Sequence, residues 1–74
     1  MTPAIAAWLL DDACRELGFC LKPEDRARLS ERAPPSVEAL CDAAMRAEGL
    51  DPTLHPDMCE RLQRRMYYAL VETQ

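Results

Sequence analysis

Residues 34–50 read PPSVEALCDAAMRAEGL, and this stretch holds a complete helix with its start, its faces and its stop. Pro34 and Pro35 break any helix arriving from upstream, because the residue before a proline is pushed out of the helical region. Ser36 is a good N-cap, since its hydroxyl can accept a first-turn N–H that has no partner in the helix. Glu38 sets negative charge in the first turn, where the helix dipole favours it. Val37, Leu40, Cys41, Ala43, Ala44 and Ala47 share one side at 100° per residue. Glu38, Asp42 and Arg46 make a polar ridge at i, i+4, i+8. Gly49 followed by Leu50 is a Schellman stop that folds Leu50 back near Met45. The alanines should let another helix approach closely, with Ala43 or Ala44 in a tight contact.

The same punctuation recurs on both sides. Thr2-Pro3, Lys22-Pro23 and His55-Pro56 read as helix starts, because proline is tolerated at the first helical position. Thr2 is a second good cap, and Glu24, Asp25 and Asp57 put acid in first turns. Gly18-Phe19 repeats the stop, bringing Phe19 near Cys14. The sequence therefore predicts four helices, roughly 3–17, 23–33, 36–48 and 56–72, with one extra turn at Asp51-Pro52-Thr53-Leu54.

Composition agrees with an all-helical chain. Eleven alanines and ten leucines stand against six Val, Ile and Thr together, and a sheet needs the latter. At 74 residues the chain has room for one domain, over 1–74, and for no dinucleotide-binding fold or barrel. The expected architecture is a compact bundle of three main amphipathic helices plus a short, charged second one. Its core draws on Ile5, Ala6, Leu9, Leu10, Ala13, Cys14 and Leu17 of the first helix and on the apolar side of the third. The fourth adds Met58, Cys59, Leu62, Met66, Ala69 and Leu70. The second helix offers little beyond Leu29, Ala27 and Ala33. A single core of this size rarely supplies more than about 3–5 kcal/mol.

The first eleven residues carry no Lys or Arg before the apolar run from Pro3 to Leu10, so a secretory n-region is missing. That run is far short of the ~20 residues of a membrane span. A cytoplasmic location is the expectation. Cys14, Cys20, Cys41 and Cys59 contain no C-x2-C pair, so zinc-finger spacing is absent. His55 and Cys59 stand four apart, yet a metal site would need another cysteine to converge on them. All four cysteines are expected reduced and metal-free, behaving as small hydrophobes. No cofactor is expected.

Little chemistry shows. Ser36 is used as a cap, and Ser30 sits among charges. A Cys59–His55 dyad lacks an orienting third group. The two glycines lie 31 residues apart, which excludes a glycine-rich phosphate loop. The chain is therefore read as non-catalytic. Two surfaces compete. On the first helix Trp8 projects among Asp11, Asp12 and Arg15; the plainer reading has it covering the core edge under the second helix. Trp and Arg are enriched as binding hot spots, and an acidic collar suits a basic groove on a larger protein. On the fourth helix Arg61, Arg64 and Arg65 gather with Tyr68, a set that can meet phosphates and stack on a base. In the plainer reading there, Arg64 lies over Tyr68 and the arginines are solvated. The formal net charge of −4 and a pI near 4.8 lack the footprint of a nucleic-acid binder. The expected function is a small acidic accessory subunit, adaptor or inhibitor that binds a larger protein partner, with nucleic-acid binding through the fourth helix as the alternative.

Overall fold

The N-terminal helix begins as its cap dictates. In the computed structural model, which describes residues 1–72, the Thr2 hydroxyl accepts the Ile5 N–H at 3.1 Å and Pro3 opens α1, Pro3–Leu17. The chain then enters α2, Pro23–Glu31, from Lys22, which gives no side-chain cap. Ser36 accepts the Ala39 N–H at 3.1 Å and starts α3, Val37–Ala47. Helix α4 runs Pro56–Glu72. Helix α2 ends at Glu31, two residues before the expected end, as the chain turns toward Pro34. Residues 73 and 74, which the expected domain includes, lie outside the described residues.

Both glycines take the left-handed conformation, Gly18 at φ 71° and Gly49 at φ 75°. At Gly49 the Schellman pair forms as expected: its N–H donates to the Arg46 carbonyl at 3.0 Å, and the Leu50 N–H to the Met45 carbonyl at 2.9 Å. At Gly18 the closure is wider. Gly18 donates to Cys14 at 3.1 Å and Phe19 reaches back to Ala13 at 3.3 Å. The turn before α4 closes through Leu54 N–H to the Asp51 carbonyl at 2.9 Å. The Asp51 carboxylate also accepts the Thr53 N–H and hydroxyl, at 2.9 and 2.7 Å.

The architecture is all-α, four helices packed against one another, with no strand among the described residues. Each helix packs on its neighbour in the chain, and α4 closes the ring onto α1. Ala6, Leu9, Leu10 and Ala13 of α1 meet Val37, Leu40, Cys41, Ala44 and Met45 of α3 and Leu62, Met66 and Ala69 of α4. Helix α2 contributes no buried residue. It covers the assembly from outside, with Leu29 packed against the core. Its long charged side chains leave it no apolar stripe to bury.

Several placements differ from the sequence reading: Ala27, offered to the core by α2, is exposed, and Met45, left off the apolar side of α3, is fully buried. Ile5, expected in the core, is 39% exposed, because it lies in the first turn at the open end of α1. Asp12, expected opposite the core, is only 7% exposed. Cys14 and Cys20, expected as free thiols, form a disulfide with Cα atoms 4.3 Å apart. The wide closure at Gly18 turns the chain back on α1, and that turn carries Cys20 alongside Cys14.

Candidate functional site

The seam between α1 and α4 brings together residues from both candidate surfaces. Asp12 faces α4, and its carboxylate accepts two hydrogen bonds from Arg65: Nε to Oδ2 at 2.8 Å and Nη2 to Oδ1 at 3.0 Å. Arg65 Nη2 also reaches Glu16 Oε1 at 3.3 Å. The hydrogen bonds from Arg65 hold the Asp12 carboxyl below its usual range, against the opposing effect of burial. Bidentate guanidinium–carboxylate geometry is directional, so Arg65 is fixed in place. Its guanidinium carbon lies over the Tyr68 ring, 5.2 Å from the centroid. Arg64, expected over that ring, instead points back one turn to Glu60 in an exposed i,i+4 pair.

Beside this fixed pair opens a shallow cavity of about 380 Å³, lined by Leu17, Arg61, Arg64, Arg65 and Tyr68. Its walls are mostly apolar, from Leu17, the arginine stems and the phenol ring. Arg61 is exposed and makes no hydrogen bond or ion pair with the described residues. Tyr68 is 54% exposed.

Of the other candidate surface, Asp12 is turned away toward α4, and Trp8, Asp11 and Arg15 remain on α1. Trp8 is half-buried and packs against the core. Asp11 pairs with Arg15 at 3.0 Å and lies 4.0 Å from Arg26 of α2. Asp12 is committed to Arg65. Of Trp8, Asp11, Asp12 and Arg15, only Arg15 is exposed. The fourth-helix set Arg61, Arg64, Arg65 and Tyr68 does converge on one cavity.

Leu17 and Glu16 are site residues that the sequence reading missed. Leu17 packs against the core as expected and also lines the cavity, and nothing local marks Glu16 as a second acceptor for Arg65. The i, i+4 spacing of Asp12 and Glu16 was a usable signal, because it puts two carboxylates on one stripe of α1.

The remaining titratable groups sit apart from this seam. The Cys41 thiol is buried 3.5 Å from the Met66 sulfur, and burial pushes it up to about 12. Cys59 is half-buried and accepts the Gln63 amide at 3.4 Å. Tyr67 donates its hydroxyl to Glu38 across α3 and α4, which lowers the carboxyl and raises the phenol. Among the described residues no three His, Cys, Asp or Glu side chains cluster closely enough to hold a metal ion, and no helix is long and apolar enough to cross a membrane. Comparison with protein-family models, with characterised proteins and with solved structures gives no match for this chain.

Proposed function

We propose that this chain is a small, non-catalytic protein-interaction module that docks a larger partner over the α1–α4 cavity. The observation that carries the reading is the cavity itself: an open, apolar-walled concavity rimmed by arginines, with a half-exposed tyrosine as one wall. Arg and Tyr are, with Trp, the side chains that most often dominate binding energy at protein interfaces. Arg65 is held in place by Asp12 before any partner arrives, so its side-chain entropy is already lost.

The non-catalytic part rests on how the reactive groups are held. Arg65 stabilises Asp12 as a carboxylate, which removes it as a proton donor. The Cys41 thiol is buried and pushed up to about 12, far from a thiolate at neutral pH. A protein partner is favoured over nucleic acid by charge. Arg65, the arginine at the centre of the set, is already held by two carboxylates, Asp12 and Glu16. The whole chain carries −4, which repels a phosphate backbone.

A photo-cross-linking residue placed at Tyr68, in the native cell, tests the proposal. It should capture a discrete protein that the same residue at Ala27, exposed on α2, does not. Capture of nucleic acid, or identical products from both positions, would overturn it.

A further inference from the structure

The balance of charge around the α1–α4 cavity goes further than naming a docking surface. Three guanidinium groups and three carboxylates, Asp12, Glu16 and Glu60, stand around it, with Glu72 adding weaker attraction to Arg65. They are not equivalent. Arg65 is 21% exposed and bound by two carboxylates, so it is a fixed part of the floor. Arg64 is 77% exposed, and its partner Glu60 lies one turn away on the same helix. Such pairs are nearly neutral in stability, so a ligand carboxylate can take Glu60's place at little cost. Among the described residues Arg61 has no partner to displace. The mouth therefore offers one unpaired cation and one easily exchanged cation, beside walls that offer apolar contact.

Resting on the reading of this cavity as a docking site, we propose that its occupant is a segment of a partner protein carrying one large apolar side chain flanked by one or two carboxylates. The apolar side chain seats between Leu17 and the Tyr68 ring, on the floor made by the Arg65 plane. The carboxylates meet Arg61 and Arg64 at the rim. A volume of about 380 Å³ is at the small end of ligand sites, which suits a single anchor and not a long apolar face. Two available cations suit a short acidic motif and not a polyanion, whose further charges would meet a chain at −4.

Selection from a displayed library of random 12-residue peptides on the intact protein reads the partner class directly. The expected enriched motif has one Leu, Phe, Trp or Met with two Asp or Glu within four positions. The enriched peptide should lose at least tenfold in affinity on Arg61→Glu, and again on Tyr68→Ser, with both variants melting like the parent. Changing its acids to amides should cost a similar factor and remove the salt dependence of association. Enrichment of basic or uncharged motifs, no enrichment at all, or indifference to Arg61→Glu would overturn the proposal. In that event protein capture from Tyr68 in the cell would still support docking here and correct only the partner's chemistry. Failure of that capture as well would remove the docking reading itself. A sedimentation run of the free protein covers the remaining occupant: a second copy in the cavity would appear as a dimer that Arg61→Glu dissociates, and would also overturn the proposal.

Discussion

Asp12 and Arg65 stand 53 residues apart in the chain and meet through two hydrogen bonds of 2.8 and 3.0 Å across the α1–α4 seam. One belongs to a helix face that reads as solvated, the other to a run of arginines that reads as a free basic patch. Their pairing decides both. It withdraws Asp12 from the surface, fixes Arg65 over the Tyr68 ring, and leaves Arg61 and Arg64 as the exposed arginines of the cavity.

The first prediction concerns that pair. Asp12→Ala leaves the largely covered Arg65 guanidinium with Glu16 alone and should lower Tm by about 5–10 °C in a domain this small. The pH dependence has a definite sign. The folded carboxyl lies below its ordinary value of 3.8, so its contribution is complete above that value and is lost as pH falls through the lower, folded one. Asp12→Asn should be less stable at neutral pH and show a shallower loss toward acid. Urea titrations between pH 6 and pH 2 measure this. Parallel acid limbs for parent and variant would mean the pair contributes nothing.

Ala44 supplies the second. It is fully buried, whereas Ala43 is partly exposed on the same helix. Ala44→Leu should overpack the core and lower stability by about 1–3 kcal/mol. Ala43→Leu should cost clearly less. Thermal melts of the two single variants give the comparison, and equal losses would contradict the helix rotation found here.

All four helices were legible because each carries its own local signals. Thr2, Ser36, the three leading prolines, Gly18 and Gly49 mark ends through backbone chemistry that needs no tertiary context. The apolar stripes of α1, α3 and α4 were legible for the same reason, down to Leu9, Leu40 and Leu62. The site was legible in half. Arg61, Arg64, Arg65 and Tyr68 could be grouped by helical spacing. Their attachment to Asp12, Glu16 and Leu17 could not, because it depends on how α1 is rotated against α4. A wheel puts Asp12 on the polar side, yet a boundary residue can turn inward once a cation faces it. The Cys14–Cys20 link was missed for a different reason. Cysteine spacing speaks only to metal motifs, while the link follows from the reversal at Gly18.

That link gives the third prediction. Labelling under denaturing, non-reducing conditions should find two thiols, Cys41 and Cys59, and reduction should expose two more. In the folded protein Cys59 should react well before Cys41, which is fully buried with its thiol pushed up to about 12. A short loop of sequence separation 6 constrains the unfolded chain modestly, so reduction should cost about 2 kcal/mol. Cys14→Ser with Cys20→Ser should reproduce that loss and abolish the effect of reductant. Four free thiols in the protein as isolated would show that the pair does not form under those conditions.

The last prediction separates the two surfaces. Trp8 packs half-buried against the core, and Tyr68 stands 54% exposed at the cavity. Trp8→Ala removes a large packed ring and should lower stability by about 2 kcal/mol, less than a fully buried tryptophan would. Tyr68→Ala removes only one cavity wall and the ring under Arg65, so its melting temperature should stay within a few degrees of the parent. Partner capture should show the reverse order, lost with Tyr68→Ala and retained with Trp8→Ala at a temperature where that variant is folded. As Trp8 is the chain's single tryptophan, its emission provides an independent check. A half-buried indole should shift to the red on unfolding. A spectrum already that of free indole in the native protein, together with capture lost only in Trp8→Ala, would move the docking surface to α1, where the acidic neighbour Asp11 would then meet a basic partner.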